Sequence, residues 1–192
     1  MELLGKQTPA KWLLFGYDVP DEPSRIRVRL WRQLKSLGAL YPQMSFCILP
    51  DSKDVRTRLH TLRSNANEFG SNVTLEAKAI DQRNFRTVFE LFKEDLEKEY
   101  RELEEECGEF TEEIKNNLAT GNLSQTEVSE LEHALDGLER WFSSIRSRDF
   151  VSSTAQRKNR RLLNRCRNAL LSFSEKAQPR LQNVSKTGSS AR

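Results

Sequence analysis

The stretch from Phe85 to Leu118 sets the hardest constraint on this chain. Phe85, Val88, Phe89, Phe92, Leu96, Leu103, Cys107, Phe110, Ile114 and Leu118 recur at helical spacing with charged residues between them. Unbroken, such a helix is roughly 50 Å long, with Gly108 as its one point of weakness. A stripe of that length is not buried by one helix, so partner helices are required. The sequence supplies two. Thr120-Gly121-Asn122 makes a turn, and Ser124 with Glu127 matches a capping box. Val128, Leu131, Leu135, Leu138, Phe142 and Ile145 then carry a second helix to about Ser147. Ser152 or Ser153 opens a third, with Leu162, Cys166, Leu170 and Phe173 on its apolar face and Pro179 at its end. The spacing predicts an antiparallel three-helix bundle over residues 83–178 and a disordered tail over 179–192.

The first half carries different periods. Residues 12–19 are a nearly continuous apolar run that reads as a strand covered on both faces, stopped by Pro20 and Pro23. Ser24 is placed to cap a helix in which Ile26, Leu30, Leu34 and Leu37 form the buried stripe. Gly38 follows where a left-handed C-terminal residue belongs. Two strands follow, at 39–42 and 44–49, and then a helix capped by Asp51 or Ser52 and running to about Phe69. Residues 73–80 begin with period two and read as a half-exposed strand. The order β-α-β-β-α-β is that of a split βαβ, ferredoxin-like sheet domain. The expected organisation is a flexible lead-in (1–10), this domain (11–82), the bundle and the tail. The fold class is α+β.

No apolar run approaches the roughly 20 residues of a membrane span, and the first residues lack a basic segment followed by an apolar one. Three distant cysteines favour reduced thiols over a disulfide framework. The expectation is a cytoplasmic protein with no membrane partner.

The formal net charge of +3 conceals a segregation. Residues 84–117 hold 5 Lys/Arg against 12 Asp/Glu, whereas residues 150–192 hold 10 against 1. Two basic clusters follow from it. One is the solvent side of the first helix, with Arg25, Arg27, Arg29, Arg32 and Lys35. The other is Arg157, Lys158, Arg160, Arg161, Arg165 and Arg167, in which Arg157, Arg161 and Arg165 share one face. The planar guanidinium suits phosphate, so Arg25, Arg29, Arg32, Lys35, Arg157, Arg160, Arg161 and Arg165 are candidate DNA contacts. The same arginines also suit pairing with Glu104–Glu106 and Glu112-Glu113 within the bundle. A third set, Arg140, Arg146 and Arg148, is a candidate oxyanion site, with a structural pair between Arg148 and Asp149 as the competing reading.

Catalysis has little to stand on. There is no glycine-rich phosphate loop and no Ser-His-Asp set. His60 and His133 lack neighbours at metal-ligand spacing. No cofactor or metal is expected. The cysteines fall on apolar stripes and read as inert core thiols, against a redox role for Cys47 or Cys166.

Several stretches together resemble the N-terminal domain of the chromate-resistance regulator ChrB. They are Trp12-Leu-Leu with Val19-Pro20, the run Arg29–Tyr41, Cys47-Ile-Leu-Pro-Asp51, Glu99-Tyr100 and Leu138–Phe150. The resemblance extends from about residue 11 to 177. It implies a chromate-responsive transcription regulator that binds double-stranded DNA, with chromate or another oxyanion as effector. It also implies a second, sensing domain in typical members, which would begin where this chain stops. The first half is also similar to Cas2-type and PaaX-type ferredoxin-like domains. There Gly16-Tyr-Asp-Val-Pro-Asp21 matches the end of the first Cas2 strand, and Asp18 matches the proposed metal-binding aspartate. A turn-forming Asp18 is the competing reading.

These observations lead to the expectation of a non-enzymatic, ChrB-like DNA-binding regulator that works as a homodimer. The alternatives are a protein-interaction module that docks through its acidic helix, and a Cas2-like metal-dependent nuclease.

Overall fold

A computed structural model describes residues 11–19, 24–43, 45–67, 70–151 and 154–187. The lead-in 1–10, Pro20 and Pro23, the Ser24 cap, Phe69, the Ser152/Ser153 cap and the last five residues lie outside what it describes. The chain divides into two compact units, Met1–Leu96 with Arg148–Ser152, and Glu97–Ser147 with Ser153–Arg192.

The first unit holds β1 (Trp12–Asp18), α1 (Ser24–Ser36), β2 (Leu40–Gln43), β3 (Phe46–Pro50), α2 (Lys53–Asn67) and β4 (Ser71–Ala77). The strands form one sheet in the order β2-β3-β1-β4, antiparallel throughout. This is the split βαβ arrangement expected from the sequence, because β3 lies between β1 and β2. The last strand starts two residues earlier than its alternation suggests, and Ile80 falls outside it, almost fully exposed.

Alternate residues of β1 face the two helices. Leu13, Phe15, Tyr17 and Val19 pack with Cys47 and Leu49 of β3, Leu30, Leu34 and Leu37 from α1, and Val55, Leu59 and Leu62 of α2. Local signals place the helix ends. Ser52 Oγ accepts from the Val55 N–H, while Asp51 pairs with Arg56 instead. At the end of α1, Gly38 (φ 82°) donates to the Lys35 carbonyl and Ala39 to that of Leu34, a Schellman ending.

On the opposite face of the sheet, Trp12 is fully covered. Its ring stacks on Phe92 at 5.0 Å between centroids and lies near Phe85 and Phe150. Those three residues come from outside the sheet. α3 (Gln82–Thr120) supplies Phe85 and Phe92, and the turn after α4 (Gln125–Arg148) supplies Phe150. The cluster explains why the compact units divide within α3, after Leu96, instead of at its start as the sequence reading places the boundary. Arg148 belongs here too, since its Cβ lies 3.3 Å from where a side chain on Gly38 would begin.

The second unit is the bundle of α3, α4 and α5 (Thr154–Thr187). Tyr100, Leu103, Cys107, Phe110 and Ile114 are buried on α3, and Val128, Leu131, Leu135, Leu138, Phe142 and Ile145 on α4. Asn159, Leu163, Cys166, Leu170, Phe173 and Ala177 are buried on α5. Within each set the steps alternate between three and four, the heptad spacing of interlocking helices. The α5 seam therefore differs from expectation. Leu163 lies on it while Leu162 is half-buried, because the seam is phased through Asn159. Glu104 meets Asn159 and Cys107 meets Cys166, so α3 and α5 run parallel, while Tyr100–Phe142 and Asn117–Glu127 set α4 antiparallel to α3. The Ser124 cap is present, but the Glu127 carboxylate accepts from Asn117 and Asn122 instead of closing the capping box. The sequence reading ends α5 at Pro179, but the helix runs past it to Thr187. A proline removes one hydrogen bond from a helix without obliging the chain to leave it.

Two glycines test this account in opposite directions. Gly108 is exposed mid-helix in α3 with open space around it, so Gly108→Ala is expected to stabilise by about 0.5–1 kcal/mol. Gly38→Ala is expected to destabilise by at least as much, because of its positive φ and the Arg148 contact. Urea denaturation of both variants measures the difference.

Candidate nucleic-acid interface

The structure sorts the basic residues by whether the protein already uses them. On α1, Lys35 is half-buried and its ammonium lies 2.9 Å from the Asp95 carboxylate. This candidate is engaged in an ion pair with the start of α3. Arg27 donates to the Val19 carbonyl at 3.0 Å. Arg25, Arg29 and Arg32 remain exposed, with no ion pair among the described residues. Beside them Val28 and Trp31 are exposed, and they line a groove of about 440 Å³ with Tyr17, Tyr41 and Pro42. Burial, with the neighbouring Tyr17 phenol, raises the Tyr41 hydroxyl well above the ordinary range.

The α5 cluster divides the same way. Lys158 donates to Glu104 of α3, and Arg167 donates to Glu139 of α4. Both lie on the flanks of the helix. Arg157, Arg160, Arg161 and Arg165 are exposed and make no ion pair among the described residues. Of the two fates open to these arginines, pairing within the bundle is taken only by their flanking neighbours.

Glu104 also binds α5 through a residue with no counterpart in the sequence reading. Asn159 is fully buried, and its Nδ2 donates to Glu104 Oε1 and to the Ala155 carbonyl, both at 3.0 Å. It is the one buried polar side chain among the described residues. Its position in the three-four spacing was the available signal, masked by its polarity.

The three arginines of the candidate oxyanion site all stand in the second half of α4. Arg140 and Arg146 lie six residues apart on α4 and point about 120° apart around the helix. Arg148 belongs to the other compact unit, its stem against Gly38. Asp149 accepts from the Val151 N–H at 3.0 Å and shapes the turn.

Asp18 is exposed at the end of β1, opposite Ser71. No group of three metal-ligating side chains occurs among the described residues. The cysteines are buried and free. Burial pushes the Cys47 thiol up to about 12. Cys166 Sγ donates to the Cys107 carbonyl at 3.6 Å. Interaction with the Cys166 thiol, together with burial, holds the Cys107 thiol well above the usual range, and the same interaction lowers that of Cys166. Thiolate is the reactive form. All three thiols are closed off by burial, so iodoacetamide at pH 8 is expected to modify the native chain slowly, and the urea-unfolded chain at all three positions rapidly. Mass spectrometry over time separates the two.

Comparison with known proteins bears on this arrangement. Residues 27–184 match the family described as Protein ChrB, N-terminal. The chain belongs to the ChrB N-terminal family. The matched ChrB region begins inside α1 and ends inside α5, so it takes in Arg29, Arg32 and all four free arginines of α5. Over 157 residues the chain is 29% identical to Protein ChrB of Cupriavidus metallidurans, covering 81% of this chain and 45% of that protein. It thus spans less than half the length of that ChrB relative. No solved structure matches it. No helix among the described residues is long and apolar enough to cross a membrane.

Proposed function

We propose that this ChrB-type chain is a DNA-binding transcription regulator linked to chromate resistance, acting in the cytoplasm, and that α5 is its main contact with duplex DNA. One observation carries the reading. Arg157, Arg160, Arg161 and Arg165 stand on the exposed side of one helix without ion-pair partners among the described residues, while Lys158 and Arg167 beside them are consumed by ion pairs. Like charges so close together repel, and a polyanion relieves that repulsion. Arg25, Arg29 and Arg32 on α1 are a second group of the same kind. The reading is of a binding protein, assigns no catalysis, and takes double-stranded DNA as partner, a homodimer as working unit and an oxyanion such as chromate as effector.

Fluorescence anisotropy of labelled duplex across a salt series tests it. Phosphate contacts predict that log affinity falls linearly with log salt, by about 0.9 per phosphate neutralised. A slope of several units is expected. Absence of binding at low salt would overturn the reading.

A second reading, a protein-interaction module, is favoured by a different surface. Glu102, Glu105, Glu106, Glu109, Glu112 and Glu113 are exposed along α3. A chain that ignores duplex DNA but binds a basic peptide with strong salt dependence would support it.

A further inference from the structure

The exposed side of α5 carries more than arginine. Taking 100° per residue, Arg157, Asn164 and Asn168 fall within about 20° of one line along the helix. That line runs opposite the buried seam of Asn159, Cys166 and Phe173. Arg160 stands about 60° to one side of it, and Arg161 and Arg165 about 40° and 80° to the other. Arg157 and two carboxamides therefore occupy the centre of the face, with further guanidinium groups on both flanks.

Helix propensity does not account for this, since Asn is a poorer helix former than Lys, Gln or Glu. Asn164 is also held in place. Glu139 accepts from Arg167 Nε, and Arg167 Nη1 donates to Asn164 Oδ1 at 2.7 Å. The Asn164 Nδ2 hydrogens remain available to an acceptor. Asn168 is exposed and makes no hydrogen bond among the described residues.

We propose that α5 lies in the major groove of duplex DNA with Asn164 and Asn168 turned to base edges and with Arg160 and Arg165 reaching phosphates on the two sides. The inference rests on the DNA-binding reading above and adds that this helix reads sequence. A carboxamide presents a donor and an acceptor side by side, which is what the N7 and N6 amino group of adenine require. A helix about 10–12 Å across fits a groove about 12 Å wide. Residues 157–168 span roughly 16 Å, or about five base pairs. Leu171 continues the face and is 62% exposed, an apolar group of the kind that meets a thymine methyl. Glu175 returns to the central line one turn later and closes the basic stretch.

The test uses the full chain. Duplexes are selected from a random pool by the wild type. The selected and a scrambled duplex are then titrated with wild type, Asn164→Ala, Asn168→Ala and Arg160→Ala, with circular dichroism as a check on folding. Enrichment of a short site containing adenine is expected. Asn168→Ala should reduce the preference for the selected duplex roughly 5- to 100-fold with the salt slope unchanged. Arg160→Ala should weaken both duplexes alike and lower the slope by about 0.9. If both Asn variants keep the wild-type preference, or the wild type binds duplexes with no preference at all, the inference is overturned while DNA binding stands. If the wild type binds no duplex at low salt, both readings fall.

Discussion

Replacing Arg157, Arg160, Arg161 and Arg165 together by alanine will lower the salt slope of duplex binding by about 3 to 4 units, at about 0.9 per lost phosphate contact. Affinity near 0.1 M salt should fall on the order of 100-fold or more. Thermal stability should hardly change, because all four are exposed and none is paired among the described residues. Equilibrium anisotropy and a melting curve check both halves of the expectation. The informative control is Lys158→Ala with Arg167→Ala. Those two residues are equally basic, yet they serve Glu104 and Glu139, so their loss should move the slope far less. Equal effects from the two sets would mean that net charge alone, and not the exposed face of α5, governs binding.

The second large effect is expected at Trp12. Trp12→Ala should destabilise the first unit by about 3–5 kcal/mol, the usual cost of removing a buried aromatic ring. The reason is specific. The rings of Phe92, Phe85 and Phe150 all pack against that of Trp12. Its deletion opens a cavity and leaves those three rings without their centre. Trp12→Phe should cost much less, since the indole Nε1–H has no hydrogen-bond partner among the described residues and its removal relieves a buried unpaired donor. Urea titrations of the two variants should differ clearly in midpoint. Similar midpoints would mean that the cluster does not depend on ring packing at Trp12.

The sheet unit was legible because its signals are local. Proline and glycine punctuate it, and the alternation in β1 and the stripe on α1 carry their periods openly. The bundle was legible for the same reason along α4, where all six expected apolar residues are buried. The reading slipped where polarity disguised a core position. Asn159 is buried, and its place in the seam shifts the neighbouring contact from Leu162 to Leu163. A window that treats asparagine as a surface residue cannot find that phase. The aromatic cluster at Trp12 was not legible because Phe85 and Phe92 look like any other part of a long apolar stripe, while their partner Trp12 lies more than seventy positions earlier.

For the candidate site, the sequence by itself determined where positive charge accumulates and on which face of α5 it lies, because both depend only on composition and helical period. It also determined the order of the elements and the lengths that need partners. Only the tertiary structure decided which of those charges are spent. Lys35 is taken by Asp95, Lys158 by Glu104 and Arg167 by Glu139, each across a distance in the chain that no local pattern spans. An ion pair depends on separations of a few ångströms between side chains brought close by packing, and that proximity does not exist until the helices are assembled.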